Sequence, residues 1–381
     1  MVRGSVFNKV FWSFFLLCLF ASHVGAERGQ KIFRYEVVDA GVTYIHKRIM
    51  AERGPMHLHF LRVDMDDPFI IIKPALAGGG IGSLEGATSI QRRTGGVAAM
   101  NGSFFEPRRK GHHLPIGLLV IDGRVVTKSL LNRSAMGITK EKKVLFGIPK
   151  LKGEVISLGS GKTVPVWGIN RPRKNDEVII YTSEYGERTR TNRFGTELVV
   201  EGTTVTTVAE GNSQIPDDGF VISLHGSSRS FTDRLPIGSE VVLKLVLMEG
   251  WERAVQVITG GPRLLENGKV VVHESIVREN FRGSILRPTA RSAVGELENG
   301  DLLFVVIEGV RGRSVGATYV ELAHLLRKEG VQNAIGLDGG NSSTMSVRGY
   351  RVHPADKNGE RPVSNAIIIK VLEQSEVETG E

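Results

Sequence analysis

Apolar positions along this chain come in short runs separated by turn-forming residues. Tyr35-Glu36-Val37-Val38, His57-Leu58-His59-Phe60-Leu61-Arg62-Val63, Phe69-Ile70-Ile71-Ile72 and Leu118-Leu119-Val120-Ile121 are rich in β-branched and aromatic side chains, which predicts strands. Asp122-Gly123 follows the last run and leads into Val125-Val126, the turn chemistry of a hairpin. Residues 150–257 are β-rich throughout, with frequent Gly, Asn and Asp turns and no helical period. They read as an inserted β-rich subdomain between two halves of a catalytic domain.

The last third changes texture. Residues 302–307 form a wholly apolar run, the pattern of a buried strand. Thr318-Tyr319-Val320-Glu321 is a capping box, Leu322, Leu325 and Leu326 share one helical face, and Gly330 stops the helix. A strand over 334–337 follows. Strand, helix and strand in this order suggest a βαβ unit, whose two strands run the same way. The expected fold class is therefore α+β: a large mixed β-sheet with packed helices, plus the β-rich insert.

Composition narrows the setting. Arg3 and Lys9, an apolar core over 10–20 and the small residues Val24-Gly25-Ala26 predict a signal peptide over 1–26. That core is too short for a membrane span, and no later stretch could cross a bilayer. The single cysteine, Cys18, lies inside the signal, so disulfides, thiolate metal sites and cysteine nucleophiles are excluded from the mature chain. The expected location is secreted, periplasmic or cell-envelope. The net charge of +8 falls to +6 without Arg3 and Lys9 and favours anionic partners such as phosphorylated glycans. Lys and Arg are scattered without long blocks or interleaved aromatics, which argues against nucleic acid.

Four constellations carry candidate chemistry. Asp338-Gly339-Gly340-Asn341-Ser342-Ser343-Thr344 begins where a strand ends. It offers a carboxylate on a rigid element, backbone N–H groups opened by two glycines and three hydroxyls, although an ordinary Asp-Gly turn reads the same. Glu308-Gly309 ends the 302–307 strand and precedes Arg311 and Arg313. A βαβ unit would set Glu308 and Asp338 at one sheet edge, the arrangement glycoside hydrolysis needs. Asn101-Gly102-Ser103-Phe104-Phe105 offers an amide and two rings. Arg287-Pro288-Thr289-Ala290-Arg291 offers a guanidinium fork for phosphate. Gly159-Ser160-Gly161-Lys162-Thr163 imitates half a P-loop, but Ile156 stands where the first glycine belongs and β-type residues follow.

In order along the chain, Asn101-Gly102-Ser103-Phe104-Phe105, Pro115-Ile116-Gly117-Leu118, Thr259-Gly260-Gly261-Pro262-Arg263, Ala290-Arg291-Ser292-Ala293, Glu308-Gly309, Leu337-Asp338-Gly339-Gly340 and Arg361-Pro362-Val363-Ser364-Asn365 resemble the phosphodiester glycosidase family. The resemblance spans about 95–371. Asn341 departs from a third glycine and His353 from an asparagine. The implied layout is N-terminal strands over 27–94, a phosphodiester glycosidase domain over 95–149 and 258–372 interrupted by the 150–257 insert, and a disordered tail over 373–381. The implied reaction cleaves a sugar-1-phosphodiester at the anomeric C–O bond. Asp338 and Glu308 would be the catalytic pair, with roles open. Arg291 and Arg313 would hold the phosphate, and Asn101, Gly339, Gly340, Ser342 and Ser343 the sugar. No cofactor is required, and a structural divalent cation is compatible. Two other readings stay open: a non-catalytic glycan- or cell-wall-binding protein, and a metal-dependent phosphodiesterase that cuts P–O.

Overall fold

The computed structural model describes residues 31–106, 113–128, 131–283, 287–355 and 359–373. The predicted signal peptide over 1–26, with Cys18, and the predicted tail beyond residue 373 lie outside the described residues.

The molecule is mostly β, with 48% strand and 13% helix, which overturns the α+β expectation. The physical reason is punctuation. Turn residues interrupt nearly every apolar run after four to eight positions, so only Ala87–Thr94, Val272–Arg278 and Tyr319–Lys328 wind into α-helices among the described residues. The predicted hairpin is present: Asp122 and Gly123 take φ of 49° and 79°, the left-handed pair that joins Leu118–Ile121 to Arg124–Lys128.

Four sheets of eight, three, ten and five strands make up the fold. The eight-stranded sheet positions the site. Lys31–Asp39, Val42–Ala51 and Gly54–Val63 meander antiparallel, and the third pairs with Leu302–Ile307. Beyond it come Arg291–Leu297, Val331–Gly336 and Arg263–Glu266. The 302–307 and 331–336 strands do run the same way. They are not neighbours, however, because Arg291–Leu297 lies between them and is antiparallel to both. A crossover helix fixes direction but leaves room for a strand in the gap.

Pleating splits the side chains by parity. On one face Leu58, Phe60, Val305 and Ile307 pack with Tyr319, Leu322, Ala323 and Leu326 of the 319–328 helix. That helix starts as the sequence predicts: Thr318 Oγ1 accepts from the Glu321 N–H at 3.2 Å, and Glu321 Oε2 accepts from the Thr318 N–H at 2.7 Å. On the other face Leu61, Val63, Phe304, Val306 and Ile335 meet Met100, Met345, Ile367 and Ile369 of the five-stranded sheet. Burial on both faces explains why residues 302–307 are apolar without alternation.

The 150–257 segment is β-rich. Its strands Val178–Tyr181, Gly195–Glu201 and Gly219–His225 belong to the ten-stranded sheet, together with Leu118–Ile121 and Ala135–Thr139 from before the segment. The 159–163 run covers the loop between the antiparallel strands Lys150–Ser157 and Thr163–Val166 and the first residue of the second strand.

Candidate active site

Arg291 pairs with Ile307 on one side, and Ala293 pairs with Gly336 on the other. Glu308 and Asp338, each just past its strand, therefore flank the start of one intervening strand at one edge of the sheet. Their backbones stand two strand spacings apart, roughly 10 Å. A small cleft opens there, lined by Glu308, Thr289, Ala290, Gly340, Asn341, Ser343 and His353. Glu308 lines this cleft directly and Asp338 does not; roomier grooves exist, one lined by Lys128, Arg133 and Lys150, but that one contains neither carboxylate.

Glu308 is 2% exposed. His59 Nε2 donates to its Oε1 at 2.8 Å, Arg313 Nε donates to Oε2 at 2.6 Å, and Arg313 Nη2 donates to Oε1 at 3.1 Å. Burial alone would raise the carboxyl; the bonds from His59 and Arg313 outweigh it and hold the group at about 2. It is an anion at any working pH. Behind His59, the Tyr44 hydroxyl lies 2.7 Å from Nδ1. With Nε2–H given to the carboxylate, Nδ1 accepts from Tyr44, which fixes the tautomer. Gly309 is squeezed at this edge: a Cβ there would stand 2.3 Å from the Ala290 backbone nitrogen.

Asp338 has the opposite surroundings. Burial pushes its carboxyl up to about 6, while Ser342, Arg361 and the Gly339 N–H pull the other way without cancelling it. Asn101 fixes the turn. Its Nδ2 donates to the Asp338 carbonyl at 2.7 Å, and its Oδ1 accepts from Ser292 Oγ at 2.7 Å and from the Thr344 N–H at 3.0 Å. Asn101 is fully buried and holds the loop, so its contacts are to protein and not to the cleft. Gly340 takes the positive φ of this turn, 61°, and Asn341 needs none, so the departure from glycine at 341 carries no strain.

The remaining candidates divide. Arg313 has a 39% exposed side chain beside Glu308. Arg291 is 1% exposed; Nε donates to the Ala317 carbonyl at 2.9 Å, Nη2 donates to the Arg287 carbonyl at 2.7 Å, and the guanidinium lies 3.9 Å from the Tyr319 ring centroid. It braces the 287–291 loop against the helix. Gly339 sits against the Ala290 carbonyl, where a Cβ would approach to 3.1 Å. Gly340 and Ser343 line the cleft, and Ser342 is buried beneath it. The Ser343 hydroxyl is buried with no partner among the described residues.

Sequence reasoning missed the histidines of the first strands. His46 stacks on His59 at 4.3 Å between centroids, His46 Nε2 lies 2.9 Å from His57 Nδ1, and His353 approaches His59 to 5.4 Å. Burial holds His46 down at about 4 and His353 at about 3. The signal was present: His57 and His59 are two apart on a strand and so share a face, with His46 across from His59. His46, His57 and Glu308 place three donor atoms within 4.8 Å of one another.

Residues 194–370 match the phosphodiester glycosidase family. The resemblance read from the ordered motifs therefore holds over a stretch that contains Arg291, Glu308, Arg313, Asp338, Ser342 and Ser343; Asn101 and the histidines of the first strands precede it. The bovine N-acetylglucosamine-1-phosphodiester alpha-N-acetylglucosaminidase is 33% identical over 111 residues, 27% of this chain and 21% of that protein. The chain thus spans about a fifth of the length of that curated relative. A Synechocystis protein of known structure superposes with a TM-score of 0.79 at 23% identity, over 90% of this chain and 64% of that one. The zebrafish catalytic domain of the same glucosaminidase, auto-inhibited by its pro-peptide, gives 0.51 at 16% identity, over 90% and 88%. These superpositions show the shared fold. No helix among the described residues is long and apolar enough to cross a membrane.

Proposed function

We propose that this chain hydrolyses a sugar-1-phosphodiester at the anomeric C–O bond, yielding the free sugar and a phosphomonoester. The observation that carries the reading is the pair of carboxylates at one sheet edge whose surroundings push their protonation apart, Glu308 to about 2 and Asp338 to about 6. The family match over 194–370 supplies the substrate class.

The roles follow from the chemistry. A phosphomonoester is a good leaving group, so little protonation is needed as the C1–O bond breaks and its oxygen keeps the electron pair. What the step needs is positive charge at the departing phosphate and a base for water. Arg313, oriented by its two bonds to Glu308 yet partly exposed, supplies the charge. Asp338, ionised above about pH 6, takes a proton from the water that attacks C1. The permanent anion at Glu308 favours the oxocarbenium-like transition state. Gly340, Asn341 and Ser343 would line the sugar side. No step here uses a cofactor. The reading includes export through residues 1–26 and an anionic, phosphorylated glycan as substrate, in keeping with the +8 charge.

Product analysis in ¹⁸O-water tests it. Label in the released sugar is expected. Label in the phosphate would mean P–O cleavage and would sink the assignment, and saturable glycan binding with no product would make the protein a lectin-like binder.

A further inference from the structure

We propose that His46, His57 and Glu308 form a binding site for one divalent transition-metal ion of the zinc or cobalt type. The site goes beyond the proposed reaction, since no step above uses an ion.

Adjacent antiparallel strands, Val42–Ala51 and Gly54–Val63, carry the two imidazoles, and their register is fixed by the His46–His59 pairing. His46 Nε2 and His57 Nδ1 point at each other across 2.9 Å, and with a Glu308 oxygen they fall within 4.8 Å. Two ring nitrogens so placed must share one proton, and a cation between them replaces it. Bonds of 2.0–2.1 Å in a tetrahedral site separate two nitrogens by about 3.4 Å, so the rings need to part by only about half an ångström. Phe33 roofs the pair, with ring centroids 5.4 Å from His46 and 6.0 Å from His57.

The carboxylate has capacity left. Of its four lone-pair positions, His59 takes one and Arg313 two, leaving one on Oε2. His59, backed by Tyr44, is the outer-shell donor that orients a ligating carboxylate. Two nitrogens and one oxygen with an open fourth position suit zinc or cobalt and not calcium or magnesium, which prefer all-oxygen shells. Arg313 is the competing cation, because its guanidinium already occupies both Glu308 oxygens.

The test is a Co²⁺ titration of the tag-free full chain after chelation, read by tetrahedral d–d bands and by metal content, followed by Zn²⁺ displacement. One equivalent with such bands is expected. His46→Gln and His57→Ala should each weaken binding by at least the roughly tenfold that an outer-shell loss costs. Arg313→Gln should tighten it. Absence of saturable binding, or unchanged affinity in either histidine variant, overturns the site. Unchanged affinity in Arg313→Gln removes Glu308 from the ligand set and overturns the three-ligand assignment. If His57→Ala does not fold, His46→Gln at the partly exposed ring carries the test. Because the readout is spectroscopic, failure of the metal site and failure of the sugar-phosphate reaction are separable.

Discussion

Glu308 and Asp338 sit at the same edge of the same sheet, and the protein treats them oppositely. Glu308 is more completely enclosed, yet its charge is retained, because three charge-assisted or imidazole bonds replace the water it lost. Asp338 has its backbone held by Asn101, while burial outweighs the few groups that favour its charge. Burial alone therefore does not decide protonation; the donors supplied at the carboxylate do. The surroundings of Glu308 hold it charged, and those of Asp338 leave it nearer neutrality.

The largest way to break this comparison is to remove the proposed general base, Asp338. Asp338→Asn should lower kcat by roughly 10²–10⁴-fold, the range for loss of a general base. In the unaltered chain kcat/KM should fall tenfold per pH unit below about pH 6, because the base must be ionised, and the residual activity of the variant should show no such limb. A pH–rate profile from 4 to 8 on a sugar-1-phosphodiester reads both.

Breaking the other carboxylate should tell first on stability. Glu308→Gln puts an amide donor where Arg313 or His59 also donates. Removing one member of a buried pair costs about 3–5 kcal/mol, and the lower end is expected because Arg313 can turn to water. Denaturant unfolding measures it; a loss below about 1 kcal/mol would mean that the three bonds do not hold the charge.

These two residues also show what could be read without coordinates. The placement of both carboxylates at strand ends was legible because each follows an apolar run, and one helix between the two strands implies a crossover that runs both the same way. The fold class was not legible in the same way. A single well-capped helix gave the last third an α+β look, while the rest of the chain turned every few residues. The strand between the two carboxylates was invisible, since pairing order is a long-range choice that local pattern does not encode. Arg291 looked like a phosphate fork, but sequence cannot tell a guanidinium in a cleft from one closed on carbonyls. His46, His57 and His59 needed cross-strand register before they read as a cluster.

A smaller perturbation tests whether Asp338 depends on its clamp. Asn101→Ala strands the Asp338 carbonyl, the Ser292 hydroxyl and the Thr344 N–H in a buried place. Leaving such groups unpaired costs about 2–3 kcal/mol in total after relaxation. The same change should lower kcat through a displaced Asp338 while leaving the midpoint of the acid limb near 6. A thermal melt and a pH–rate profile on one preparation separate the two effects. A midpoint moved back toward the ordinary aspartate range would show that the turn had opened to water.

The smallest effect has the opposite sign and divides the carboxylates most sharply. Asp338 binds its proton more tightly in the folded state, at about 6 against an ordinary 3.8. Below pH 3.8 it is protonated in both states and adds no penalty. As pH rises through about 6 the folded state must accept a buried charge, and stability falls by roughly 2–3 kcal/mol for this shift. Asp338→Asn removes that charge while keeping the shape. At pH 8 the variant should be more stable than its parent by about 2 kcal/mol, with the gain gone near pH 4. Glu308→Gln, by contrast, should lose stability at the same pH 8. Paired urea titrations at the two pH values decide it. A destabilised Asp338→Asn at pH 8 would mean that Ser342, Arg361 and the Gly339 N–H satisfy this carboxylate as fully as His59 and Arg313 satisfy Glu308, and the contrast between the two groups would collapse.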